Sequence, residues 1–296
     1  MSINDKIGLG TVQFGLKYGI NNTTGQIAFD SAKEIARMYC GSVPRPVFDT
    51  ASAYGSSESV LGRILNDLGI ASDDTVISKF SGDILTGPDL RASFERTIGV
   101  LGGRSLYAFI AHDAEAVRKG QGVLEELIRL KEDGRVRKIG ISAYFPSQVE
   151  WFLERKMPLD LVQVPYNVFD RRFEPFLAEY AAAGIEVHTR SAFLQGLFFR
   201  SPDTLPDFFD PVKDNLSAVR SLACESGLSL SKLLLLFCLS RPDIDRVIIG
   251  VDSEKNMQEN LFSAGDQEIY DQFREKLNRQ WHTAENILLP FNWPKS

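Results

Sequence analysis

Eight short apolar runs, rich in β-branched and aromatic residues, recur along this chain at 7–13, 47–51, 75–80, 106–112, 138–142, 161–165, 186–191 and 246–250. Each reads as a strand buried on both faces. Such strands belong to parallel sheets, whose crossovers need helices. Helical spacing of apolar residues appears at 57–65, 89–101, 123–133, 173–183, 216–225, 229–238 and 253–262, with a further helix at 269–279. Gly134 and Gly184 close two of these segments as C-caps, and Ser229 and Ser253 open two as N-caps. The alternation predicts one α/β domain over 1–296, a (β/α)8 TIM barrel with an extra C-terminal helix. An open doubly wound sheet is the rival. Its glycine-rich first turn is missing, because Gly8-Leu9-Gly10 is not followed by the third glycine.

Three successive runs carry polar side chains at their ends. VFDTA contains Asp49, with Tyr54 just beyond it, TVISKF contains Lys79, and LYAFIAHD contains His112. A charge at the end of a buried strand is costly unless paired, and the C-terminal rim of a parallel barrel is where catalytic side chains sit. Singly, each has an ordinary explanation: Asp49 or Tyr54 in a turn, Lys79 solvated, His112 a satisfied core histidine. Together, on adjacent strands, they form a relay. A tyrosine hydroxyl, with a pKa of about 10, is a poor proton shuttle at neutral pH. A nearby ammonium lowers that value, and a carboxylate keeps the ammonium charged and aimed. Lys79 and Asp49 are placed to do both, while His112 orients a carbonyl or shares the proton. Such a set suits reduction of C=O, with Tyr54 giving the proton as hydride reaches carbon. No Ser–His–Asp elbow, metal-spaced histidine cluster or P-loop competes, and no metal is expected.

The segments DTASAYGSSESVLG, SKF, AFIAHD, KIGISAY, LVQVPYN, SAFLQGLF and VIIGVDSEKNMQEN stand in the order found in aldo-keto reductases. The chain resembles that family from Gly8 to about Asn260. The resemblance implies a (β/α)8 barrel that binds NADPH or NADH without a Rossmann domain and reduces an aldehyde or ketone to an alcohol. It implies Asp49, Tyr54, Lys79 and His112 as the catalytic tetrad, Tyr54 being the general acid. It puts Ser142 and Gln163 on the nicotinamide carboxamide, and Arg190 where many members stack an aromatic ring under the nicotinamide. Gln195, Gly196 and Leu197 fall near the pyrophosphate, and Gly250, Asp252, Lys255, Gln258, Glu259 and Asn260 around the adenosine. Three positions depart from the common pattern. Ala143 replaces an asparagine, Arg190 replaces the ring, and Asp252 stands near the usual NADPH-binding cation. A carboxylate repels a 2′-phosphate but can accept hydrogen bonds from a ribose diol, whereas Lys255 is a compensating cation. NADH and NADPH both stay open.

A net charge of −6, with no lysine/arginine block, offers no field for nucleic acid. The longest apolar run, 233–239, is too short to cross a bilayer, and MSINDKIGLG lacks the apolar stretch of a signal peptide. Cys40, Cys224 and Cys238 form no CxxC pair; Cys224 and Cys238 are expected to be reduced and buried in helices. A cytoplasmic, monomeric protein acting on a small carbonyl compound is expected, with no nucleic-acid or membrane partner. A short polar loop at 113–121 and a modest one at 199–211 leave an open pocket, suited to a polar or sugar-like carbonyl. Arg190 hints at an anionic or heavily hydroxylated one. Phe193, Phe198, Phe199, Phe208 and Phe209 are expected to divide between core and pocket wall, His188 to pack in the barrel wall, and His282 to make a surface contact. Two other classes remain: a nucleotide-binding regulatory barrel with little turnover, and a Schiff-base aldolase using Lys79. The intact tetrad opposes the first. Asp49, keeping the amine protonated, opposes the second.

Overall fold

The computed structural model describes residues 3–20, 22, 25–70, 75–282 and 284–294. Its strands are β1 (Ile7–Gly10), β2 (Phe48–Asp49), β3 (Val76–Phe80), β4 (Leu106–Ala111), β5 (Val136–Ser142), β6 (Leu161–Pro165), β7 (Glu186–Arg190) and β8 (Arg246–Gly250). They run parallel in sequence order, and β8 pairs back onto β1 to close the barrel. The fold is the expected (β/α)8 TIM barrel, and Asp266–Asn278 is the extra C-terminal helix.

Two strands are shorter than their apolar runs by more than one residue. The first leaves the ladder at Gly10, and Val12–Gly15 coils into a helical turn. In the second only Phe48 and Asp49 pair, before the chain turns into the helix Ser57–Asp67. Three crossover helices are absent from the sequence-based expectation, and the shortest, Ala114–Lys119, stands where 113–121 was expected to be a loop, capped by the Asp113 carboxylate, which accepts from Glu115 N at 2.9 Å. Phe29–Ser42 buries a stripe of Ala32, Ile35, Ala36 and Tyr39 but begins at Ala28 without a side-chain cap. Pro146–Glu154 buries only Val149 and Phe152, too few to mark a period. It is capped from within, Gln148 Oε1 accepting the N–H groups of Tyr144 and Phe145 at 2.8 and 3.0 Å. The other boundaries follow the local signals. The Ser229 and Ser253 hydroxyls accept from Lys232 N and Asn256 N, each at 3.2 Å. Gly134 and Gly184 adopt φ of 69° and 74°, where a β-carbon would be strained.

Outward-facing strand residues such as Leu9, Phe48, Phe109 and Val164 pack under the helices, including the apolar helix Leu230–Leu239. Inside the barrel a small plug of Val47, Ile77, Ala108, Ile110 and Leu161 fills the lumen. Below it Glu186 accepts from Tyr107 Oη at 2.7 Å and Lys138 Nζ at 2.5 Å, and the fully buried His188 lies 3.4 Å away. The lumen is thus filled from its base, and a cavity opens at the C-terminal ends of the strands. Cys238 is buried and Cys40 half-buried, both free. Cys224 is also free but exposed, contrary to expectation: its helix Asp210–Ser226 turns the Val212, Leu216, Val219, Leu222 and Ala223 stripe inward. Among the described residues no single helix is long and apolar enough to cross a membrane.

Candidate active site

The rim cavity has a volume of about 780 Å³. Asp49 ends β2, and the β2–β3 register sets it opposite Ile77, one pleat before Lys79 on the same face. Lys79 Nζ therefore reaches Asp49, donating to Oδ1 at 2.5 Å and to the Thr50 carbonyl at 3.0 Å. Gln163 Nε2 donates to the other oxygen, Oδ2, at 2.8 Å. Each carboxylate oxygen thus has its donor, as a buried charge requires. Lys79 is 0% exposed, and burial pushes its ammonium pKa down while Asp49 opposes that shift.

Tyr54 sits over this pair. Its ring centroid is 5.1 Å from Lys79 Nζ, and its ring meets that of His112 edge-on at 5.6 Å. Burial, and then the charge of Asp49, push the Tyr54 hydroxyl well above its ordinary range, with Arg190 opposing. This differs from the lowering expected from sequence. The Lys79 ammonium is committed to Asp49, so the resting site holds Tyr54 as a neutral phenol. Burial, then the charges of Lys79 and Arg190, drive His112 down to about 4. At neutral pH it is an uncharged imidazole.

Ser142 and Gln163 are partners across the β5–β6 ladder, nearly buried and facing the cavity. After β7 the chain passes through left-handed conformations at Ser191, Leu194, Gln195 and Gly196, with φ of 64°, 45°, 50° and 95°. That turn sets Gln195 and Gly196 in the cavity wall and sends Leu197 into the core, where it is fully buried. Leu197 therefore does not face the site. Gln195 O also accepts from Ile20 N at 3.2 Å, tying the loop after β1 to the loop after β7. At the far end Gly250, Asp252, Asn256, Glu259 and Asn260 line the cavity, and Asn256 donates to the Asp252 carboxylate. Lys255 and Gln258 do not. Three residues apart on the helix Glu254–Glu259, they face an adjoining hollow of about 470 Å³, and Lys255 Nζ lies 3.7 Å from Glu259.

Several lining residues escaped the sequence reading. Gln13 was hidden by taking 7–13 as one strand, and Tyr18 stands in an irregular loop with no periodic signal. Tyr144 falls inside the KIGISAY segment and was legible there. Gln13 Oε1 and Asn260 Oδ1 are buried without a hydrogen-bond partner. The Tyr18 phenol is pushed up to about 12, by burial first and then by Tyr54, with Arg190 opposing.

The Arg190 guanidinium stacks 4.2 Å above the Tyr144 ring and donates to the Ala143 carbonyl at 3.4 Å and Ser191 Oγ at 3.5 Å. Ala143 itself is buried in the core. Phe193 and Phe199 line the cavity, whereas Phe198 and Phe209 are buried and Phe208 packs against the core. The tail contributes Pro290 to the wall, and Phe291 packs edge-on against Tyr144 at 5.2 Å. His282 Nε2 contacts the Pro211 carbonyl at 3.1 Å, outside the cavity lining. Among the described residues no cluster of three or more His, Cys, Asp or Glu side chains is placed to hold a metal ion.

The sequence model of the aldo/keto reductase family matches residues 6–278. An L-galactose dehydrogenase from Arabidopsis thaliana is 26% identical over 269 residues, covering 83% of this chain and 82% of its own. A probable voltage-gated potassium channel subunit beta from Oryza sativa subsp. japonica is 24% identical over 284 residues, covering 83% and 86%. Among solved structures, an aldo-keto reductase from Bacillus halodurans superposes with a TM-score of 0.70 at 19% identity, over 95% of both chains. That last likeness is one of fold.

Proposed function

The chain belongs to the aldo/keto reductase family, and on that premise we propose that it reduces a polar, sugar-like aldehyde or ketone with NADH or NADPH, Tyr54 acting as general acid. The observation that carries this reading is a neutral phenol at the cavity wall, beside a buried Lys79–Asp49 pair and an uncharged His112. A reduced nicotinamide, when bound, supplies the hydride. The residues present fit such a cofactor. Gln13 and Asn260 offer buried amide oxygens that lack a partner. Ser142 and the carbonyl oxygen of Gln163 would hold the carboxamide, the Gln163 amide nitrogen being engaged by Asp49. The left-handed turn at Gln195 and Gly196 would face the diphosphate, and Gly250, Asp252, Glu259 and Asn260 the adenosine end.

Tyr54 Oη gives its proton to the carbonyl oxygen as negative charge develops there. The phenolate left behind faces the Lys79 ammonium, which Asp49 and Thr50 hold in place. His112, neutral, is a hydrogen-bonding partner for the carbonyl oxygen and brings no competing charge. Asp252 and Glu259 make the adenosine end acidic, and Lys255 turns away from it, which favours NADH over a dinucleotide bearing a 2′-phosphate. Tyr18, Tyr144 and Arg190 in the cavity wall suit a hydroxylated substrate, and the Arabidopsis relative is named for L-galactose.

Mixing the protein with NADH or NADPH and a panel of neutral and charged polar aldehydes, and following absorbance of the reduced cofactor, tests this reading. Consumption in step with alcohol formation supports it. The similarity to a channel β subunit supports a second reading, a nucleotide-binding barrel with little turnover. Tight cofactor binding without consumption across the panel favours that alternative. A Schiff base on Lys79 is disfavoured, because its amine makes two hydrogen bonds and lies outside the cavity lining.

A further inference from the structure

Arg190 carries a charge that no described carboxylate balances. Lys79 is matched by Asp49, His112 is neutral, and Lys255 turns outward to Glu259. Arg190 lines the cavity, and its hydrogen bonds are two long ones, at 3.4 and 3.5 Å. Most of a guanidinium's five donors are thus uncommitted. Its plane is nevertheless held, by the Tyr144 ring 4.2 Å away and the Ala143 carbonyl, while Phe291 buttresses Tyr144 from the tail. Asn167 Nδ2 donates to the Ser191 carbonyl at 3.0 Å, fixing the chain just beyond. A guanidinium that is oriented, half-buried and unpaired is pre-organised for bidentate recognition of an oxyanion.

We propose that Arg190 binds an anionic group of the substrate, a carboxylate or a phosphate borne on the same small molecule as the carbonyl that Tyr54 protonates. The proposal rests on the reading of Tyr54 as proton donor, and it names the substrate class of that site. Its reasons are electrostatic. Without an anion the cation stays partly desolvated and uncompensated, a state that binding relieves. Arg190 also acts on Tyr54, Lys79 and His112 through its field, which places it beside the reacting groups. Asp252 and Glu259, at the opposite end of the cavity, repel the same anion and set its orientation. Tyr18, Tyr144 and Phe199 supply flat walls for the body of the substrate between these poles.

The experiment compares matched aldehydes: succinic semialdehyde with butanal for carboxylate, and glycolaldehyde phosphate with glycolaldehyde for phosphate. In the wild type kcat/KM for the charged member of one pair is expected to exceed that for the neutral member by about 10- to 150-fold, the range of a hydrogen bond to a charged group. Whichever pair shows the preference identifies the anion. In Arg190→Met the ratio collapses toward one, and Arg190→Lys restores part of it, because a point charge replaces the fork. Calorimetric titration of succinate or 2-phosphoglycolate into the wild type and Arg190→Met provides a readout independent of turnover, with Kd rising by a similar factor. Equal rates within both wild-type pairs, or a preference that survives Arg190→Met, overturn the proposal. So does a variant that weakens NADH binding while leaving the ratio intact, which assigns Arg190 to the cofactor. If no aldehyde is reduced but anion binding still depends on Arg190, the carbonyl-reductase reading fails and the anion site stands.

Discussion

Replacing Lys79 by methionine separates what the buried pair does for the fold from what it does for chemistry. The two side chains match in length, so the packing change is small, but the substitution leaves Asp49 buried with only the Gln163 amide for a donor at 2.8 Å. Stranding one member of a buried ion pair costs about 3–5 kcal/mol. Adding Asp49→Asn removes the stranded charge and keeps an oxygen for Gln163 Nε2. What remains missing is the hydrogen bond to the Thr50 carbonyl, worth about 1 kcal/mol. The double variant should therefore lie within about 2 kcal/mol of wild type, recovering at least about 1–3 kcal/mol of what Lys79→Met alone loses. Urea denaturation at neutral pH, followed by tryptophan fluorescence and circular dichroism, gives both values if the slope is unchanged. Neither variant should reduce a carbonyl, since the phenolate of Tyr54 loses its counter-cation in both. A Lys79→Met protein within 1 kcal/mol of wild type, or a double variant as unstable as the single, would refute the argument that Asp49 is charged and dependent on Lys79.

Tyr54→Phe removes only the proton donor, so turnover should fall by about 10²- to 10⁴-fold while NADH Kd changes less than about twofold; retained turnover removes Tyr54 from its role. His112 is held near 4 against an ordinary 6.5. The unfolded chain binds the proton first as pH falls through that window, so stability is lost between 6.5 and about 4. In His112→Asn the fall in melting temperature over the same window should be shallower, and an identical slope would assign it to other groups. Asp252→Ala should tighten NADPH binding by about two- to fivefold, the scale of an exposed charge interaction, with little change for NADH. Parallel fluorescence titrations read both constants, and no change in their ratio dismisses Asp252 as a selector.

How far the chain could be read in advance follows from how local each signal is. The strand positions and their order were legible because an apolar run bounded by turns encodes a buried strand without reference to its neighbours. Asp49, Lys79 and His112 were legible for the same reason, as titratable side chains at the ends of such runs. Gln13 was not, since an apolar run that coils into a helical turn at Val12 looks like a continued strand. The helix Pro146–Glu154 was missed because two buried residues cannot establish a period. Leu197, Lys255 and Gln258 came with the motif segments that carry the resemblance, and a segment does not say which of its side chains turn toward the cavity.

Residue order alone was enough to specify a parallel barrel and the end of it that carries the titratable side chains, because strand pleat and β/α alternation are local and periodic. It did not specify what those side chains do to one another. Gln163 meets Asp49 across 114 positions of sequence, and Arg190 reaches the Ala143 carbonyl across 47. Only closure of the barrel brings those atoms within hydrogen-bonding range. Closure also committed the Lys79 ammonium to Asp49 and left Tyr54 a neutral phenol, the reverse of the shift that proximity along the sequence suggested. Burial and through-space charge are properties of the assembled rim, and they belong to no segment on its own.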